Sequence, residues 1–65
     1  MTPDALRHCL DTLAWSQRGV AALLAVNERE VRRWAAGRGP IPPAVAAWLA
    51  LLAAFHERHP PPRRP

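Results

Sequence analysis

Apolar residues recur at intervals of three and four along most of this chain, and polar punctuation divides the pattern into four runs. Thr2-Pro3-Asp4 reads as a helix start: Thr2 caps, Pro3 suits the first helical position, and Asp4 favours the positive end of the helix dipole. Leu6, Cys9, Leu10 and Leu13 then mark one face, and the helix is expected to end near Ala14 or Trp15. Ser16 caps a second helix to Leu24 or Ala25, with Val20, Ala21, Leu23 and Leu24 facing inward or bordering the core. Asn27 caps a third. Glu30 follows three residues later, the spacing of a capping box, in which cap and acidic side chain satisfy each other's backbone N–H. This helix is expected to reach Ala36, with Gly37 as its left-handed stop.

"GRGPIPP", Gly37 to Pro43, is a rigid turn with Ile41 as its anchor. A fourth helix is expected from Pro42 or Pro43 to Glu57. Turning about 100° per residue from Val45, the side chains of Leu51, Phe55, Trp48, Leu52, Val45 and Leu49 span an arc of about 160°. The opposite arc holds Ala46, Ala47, Ala50, Ala53 and Ala54. Val45, Trp48 and Leu52, in mid-arc, are expected to pack on the chain's own core. "HPPPRRP" cannot continue a helix and reads as a disordered, polyproline-like tail. No repeat and no strand signal appears. The pattern therefore predicts an all-α, four-helix domain over residues 1–58 and a disordered Pro/Arg tail over 59–65.

Composition narrows the function. Sixty-five residues allow one domain, and a chain this short buries only about 60% of its unfolded surface. With 49% of its residues hydrophobic, it is too apolar for intrinsic disorder. The net charge of +4 favours a polyanionic partner. Every basic residue is Arg. That usage fits a GC-rich genome as well as a surface built to fork onto phosphate and guanine. Cys9, the single cysteine, forms no internal disulfide and sits on an apolar stripe as a small buried residue. Asp4 and Arg7 interrupt the N-terminus, so no signal peptide is visible. The uncharged run Ala44 to Phe55 falls short of the roughly 20 residues that span a bilayer. The expected location is cytoplasmic, with no membrane partner. Thr2 and Ser16 have no His–carboxylate pair beside them, and so small a chain does not enclose a substrate pocket; an enzyme is not expected.

The stretch from Gln17 to Trp34 has the spacing of a helix-turn-helix. Counting Gln17 as the first position, Val20 is the apolar fourth and Ala21 the small fifth, where the two helices touch. Leu24, Val26, Val31 and Trp34 fill the apolar eighth, tenth, fifteenth and eighteenth positions. Two short helices crossing near a right angle share one small core, and these positions point into it. Measured round the third helix from Val31, Arg32 falls at about 100°, Ala36 at about 140°, Arg29 at about 160° and Arg33 at about 200°. Three arginines thus face away from the core, with the small Ala36 among them. A solvated basic face is the bland reading of such a helix; the six matched core positions shift the balance to DNA binding.

Residues Ser16 to Gly37 resemble the phage repressor and Cro-like helix-turn-helix regulators: "WSQR…LLAVNEREVRRWAAG" follows their "LSQ…LLGVS…V-R-W-x-x-G" pattern. The match is strong over a third of the chain and looser over residues 3 to 57. The segment "SQRGVAALLA" is also similar to the "SQR…A-x-LLG" of anti-CRISPR-associated repressors, a group found in phages and mobile elements. The resemblance implies a lambda repressor-like fold. It also implies a DNA-binding set: Gln17 on phosphate with Arg18 beside it, Asn27, Glu28, Arg29 and Arg32 at base-reading positions, and Arg33 and Arg38 near the backbone. Ala25 stands where the family has Gly. A left-handed Ala costs about 1 kcal/mol, so a remodelled turn is expected there. Gly19 inside the second helix is expected to permit close approach to a phosphate. Glu28 has two open readings: accepting from a cytosine amino group, or pairing with Arg32 four residues on.

Trp15, Trp34 and Trp48 have the spacing of core residues rather than of base-stacking platforms. His56 and His59 have no further ligand nearby, and no metal site is expected. The tail reads as solvated rather than as a docking motif for a proline-binding partner. The resulting expectation is a sequence-specific DNA-binding transcriptional regulator, a homodimeric repressor. It would read double-stranded DNA through helix 28–36 at an inverted repeat with half-sites about 34–36 Å apart. No cofactor and no small-molecule ligand are expected. Leu51 and Phe55, at one edge of the fourth helix, are the expected dimer contact, with the Ala46-Ala50-Ala54 face as the other candidate. The rival reading is a protein-interaction module, an antitoxin or adaptor, that uses helix 44–57 for its partner.

Overall fold

Side-chain caps start three of the four helices. The Oγ1 of Thr2 accepts from the N–H of Ala5 at 3.0 Å, the Oγ of Ser16 from Gly19 at 2.9 Å, and the Oδ1 of Asn27 from Arg29 at 2.9 Å. In the computed structural model, which describes residues 1–62, these caps open α1 (Pro3–Leu13), α2 (Gln17–Leu24) and α3 (Glu28–Ala35), and α4 is Pro43–Arg58. The last helix has no side-chain cap; Pro43 takes its first position, where a missing N–H costs nothing. Among the described residues the chain is all-α, with no strand.

The first three helices end in the same way. In each, a residue just past the helix end donates its N–H five residues back: Trp15 to Leu10 at 2.9 Å, Val26 to Ala21 at 3.0 Å and Arg38 to Arg33 at 2.8 Å. The preceding residue is left-handed: Ala14 at φ 58°, Ala25 at φ 56° and Gly37 at φ 74°. This is the Schellman closure, which satisfies carbonyls the helix leaves over. The expected remodelling at Ala25 does not occur. The motif holds with Ala in the left-handed position, and its two backbone bonds offset the steric cost of the methyl group. At Gly37 an added Cβ would also sit 3.4 Å from the Cγ of Pro3.

The core draws on every helix: Leu6, Cys9 and Leu10 from α1, Val20 and Ala21 from α2, Val31, Trp34 and Ala35 from α3, and Leu49 and Ala53 from α4. α1 packs against α4 and α3, and α2 packs against α3. Around this centre lie the half-buried Leu13, Trp15, Leu24, Val26, Ile41, Val45 and Trp48. The rings of Trp15 and Trp48 are 5.6 Å apart, so α4 also closes over the α1–α2 junction. Ile41 anchors the Gly-Pro turn as its position suggested.

Three expectations need correction. Leu23, placed inward or at the core border, is 62% exposed; α2 is short, and its buried line runs through Val20 and Ala21. On α4 Val45 and Trp48 pack half-buried against the core as expected, Leu52 is half-buried, and the line of deepest burial is Leu49 and Ala53. It lies about 100° round from the middle of the large-residue arc. The capping box is absent: Asn27 bonds the N–H of Arg29, while the N–H of Glu30 donates to the Asn27 backbone carbonyl at 2.9 Å. The side chain of Glu30 is exposed and makes no hydrogen bond among the described residues. α3 also ends at Ala35, one residue earlier than expected.

α4 stops at Arg58, with His59 closing it. Pro60 to Pro62 have no regular structure, and the rest of the expected disordered tail, 63–65, lies outside the described residues.

Candidate nucleic-acid interface

The α2–turn–α3 unit is held from within by Val20, Ala21, Val31 and Trp34, all buried. α3 buries Val31, Trp34 and Ala35 on one side and leaves Arg29, Arg32, Arg33 and Ala36 exposed on the other. The local chemistry enforces this split. The apolar residues are three and four apart, so they share a face, and the arginines fall between them. The first turn of α3 carries Glu28 and Glu30 and the last carries Arg32 and Arg33. Glu28, Glu30, Arg32 and Arg33 therefore each sit at the helix end whose dipole stabilises them, while Arg29, in the first turn, sits at the positive end.

The expected DNA-contacting residues divide by what their side chains already do. Arg18, Arg29, Arg33 and Arg38 are exposed, and none forms an ion pair among the described residues. Gln17 opens α2 and is half-buried. Asn27 uses one lone pair of its side-chain oxygen on the α3 cap, which leaves its two amide N–H donors and a single acceptor site; this narrows the base-reading role implied for it. Glu28 and Arg32 are paired. The Nε of Arg32 donates to the Oε2 of Glu28 at 2.9 Å, and its Nη2 donates to the same oxygen.

Gly19 has a reason to be glycine within the fold. Its N–H donates to Ser16, and an added Cβ would lie 3.1 Å from that hydroxyl oxygen. The residue protects the α2 cap, whatever approaches from outside. A shallow groove lined by Glu30, Arg33, Trp34, Gly39 and two prolines, Pro40 and Pro42, runs beside the C-terminal half of α3.

Sequence reasoning missed Arg7. Its Nη1 donates to the backbone carbonyl of Ala35, the last residue of α3, and its Nη2 pairs with Asp4. Arg7 thereby ties α1 to the C-terminal end of the arginine-bearing helix. No periodicity reports a contact between residues 28 positions apart.

Leu51 is 67% exposed and Phe55 58% exposed, in agreement with their expected place outside the chain's own core. The ring of His59 lies 4.7 Å from that of Phe55. No helix among the described residues is long and apolar enough to cross a membrane. Among the described residues, no group of three or more His, Cys, Asp or Glu is placed to hold a metal ion. Comparison with family models, characterised proteins and solved structures returned no match for this chain.

Proposed function

We propose that this chain is a sequence-specific, duplex-DNA-binding transcriptional regulator with the lambda repressor-like helix-turn-helix architecture, in which α3 enters the major groove. One observation carries the reading: α3 buries its apolar face on α2 and α1 while presenting Arg29, Arg32 and Arg33 on the opposite side. A single helix covers the width of the groove, and arginine forks match both phosphate and guanine edges. Gln17, Arg18, Arg33 and Arg38 serve as phosphate contacts that set position, and Arg29 and Arg32 read bases. In this reading the protein acts by occupying an operator as a homodimer, and it catalyses no reaction on the DNA. The exposed Leu51 and Phe55 supply the dimer contact.

Titration of the protein against a random 20-base-pair duplex at two salt concentrations tests the proposal. Binding should weaken with salt, with a log–log slope of about −0.9 for each phosphate neutralised. Arg33→Ala and Arg38→Ala should each make that slope shallower by about 1. The same exposed Leu51 and Phe55 favour a second reading, an antitoxin or adaptor that docks a protein on α4. Absence of binding, or binding indifferent to salt, overturns the DNA reading in favour of that one.

A further inference from the structure

The Glu28–Arg32 pair lies along one edge of the face proposed to meet DNA: round α3 from Val31, Glu28 falls at about 60° and Arg32 at about 100°. Its side chains are 33% and 65% exposed, respectively. An isolated pair of this exposure contributes little to stability. Its geometry has another consequence. Arginine has five N–H donors in a rigid plane. Glu28 takes the Nε–H and one Nη2–H of Arg32 through a single oxygen, Oε2. What remains is the far edge of the fork, Nη1 with the second Nη2–H, which makes no hydrogen bond among the described residues. The second oxygen of Glu28, Oε1, makes no hydrogen bond among the described residues. The pair therefore presents two adjacent donors beside one acceptor.

That combination matches the major-groove edge of G·C-containing sequence. Guanine offers two acceptors, O6 and N7, and cytosine offers a donor, its N4 amino group. We propose that Glu28 and Arg32 form one composite reader: Arg32 takes a guanine end-on, and Glu28 fixes the orientation of Arg32 while its Oε1 accepts from the amino group of a neighbouring cytosine. This rests on the reading of α3 as a DNA-binding helix, and it joins the two roles left open for Glu28. An arginine on an unconstrained side chain must freeze several rotors on binding; here the pair with Glu28 restricts some of them beforehand. The guanidinium of Arg29 is in no ion pair among the described residues and has no such constraint, so sharper base discrimination belongs to Arg32.

Selection of bound sequences from a pool of duplexes with 20 randomised base pairs tests the proposal, using the full chain and the variants Glu28→Ala, Glu28→Gln, Arg32→Ala and the Glu28→Ala/Arg32→Ala double variant. Neither side chain belongs to the core, and far-UV circular dichroism checks that each variant keeps its helices. The wild-type protein should select a guanine that Arg32→Ala no longer distinguishes. Glu28→Ala should weaken the preference at that same guanine by about tenfold. Glu28→Gln keeps a carbonyl acceptor and should retain part of the preference. The double variant should lose no more than Arg32→Ala alone at that position. If Glu28→Ala leaves the guanine preference intact, or alters only a position independent of Arg32, the composite reader is wrong and DNA binding stands. If the wild-type protein retains no duplex from the pool, the composite reader and the DNA reading fall together.

Discussion

The guanidinium of Arg7 donates to the backbone carbonyl of Ala35, joining the middle of α1 to the last residue of α3. That carbonyl is one of those a helix cannot satisfy internally, and the negative end of the helix dipole favours a cation there. The side chain of Arg7 is 47% exposed, so solvent screens part of the attraction. Arg7→Ala should lower unfolding free energy by about 1 kcal/mol. Urea denaturation measures this, and a midpoint equal to that of the wild type would remove Arg7 from the account of how α3 is held.

Ala14 and Ala25 occupy left-handed backbone. The methyl group in that conformation costs about 1–2 kcal/mol, and the looser unfolded chain of a glycine variant cancels part of the gain. Ala14→Gly and Ala25→Gly should each stabilise the fold by about 0.5–1 kcal/mol. The two closures are separate, so the double variant should show the sum. A lower thermal midpoint in either single variant would contradict the strain assigned to these residues.

The buried line of α4 makes a contrast between near neighbours. Leu49 is fully buried and Leu51 is two-thirds exposed. Leu49→Ala should cost about 2–5 kcal/mol, enough to unfold much of so small a domain. Leu51→Ala should leave the fold of the single chain within about 0.5 kcal/mol of the wild type. Equal losses at the two positions would mean that α4 sits in another rotation.

Burial pushes the Cys9 thiol above its ordinary range, and the negative charge of Glu57 adds to the effect. The folded protein therefore holds the proton more tightly than the unfolded chain does. Stability from this source is complete below the unfolded thiol's pKa, about 8.5, and declines as pH rises from there through the higher folded value. Cys9→Ala should flatten the alkaline part of a stability–pH curve. In the native protein a maleimide should modify Cys9 only as fast as the fold opens, and rapid labelling under native conditions would show that the side chain is reachable.

The proposed dimer has its own test. Leu51→Glu and Phe55→Glu place charge on exposed positions of α4 and should leave the fold intact while producing a monomer in sedimentation. Both should bind a two-half-site operator far more weakly than the wild type and bind a single half-site equally well. A wild-type protein that sediments as a monomer at tens of micromolar would falsify the dimer.

How much of this was legible in the sequence depends on range. Thr2, Ser16 and Asn27 mark helix starts by local hydrogen bonding, and Gly37 marks a stop by its tolerance of positive φ. Val20, Ala21, Val31 and Trp34 share a face by spacing alone, so the outward place of Arg29, Arg32 and Arg33 follows. The failures come from tertiary contact. Ala53 is a core residue, and no property of alanine announces it. Leu23 is exposed because nothing packs beyond α2 at that point. Two of the three left-handed closures carry alanine, so the residue that normally signals the motif is missing. Arg7 reaches Ala35 only once the chain has folded, and the Glu28–Arg32 pair was one of two readings until the side chains were placed.

The tilted stack of Trp15 on Trp48 gives the molecule a built-in optical reporter. Two indoles at this separation couple electronically and contribute a paired signal to the circular dichroism of the native state. One ring belongs to the α1–α2 junction and the other to α4, so the signal records the docking of α4 and not the mere presence of helix. Partial unfolding that released α4 would erase it while most of the far-UV helical signal from the first three helices survived. The wild-type chain thus reports on the docking of α4 without a label.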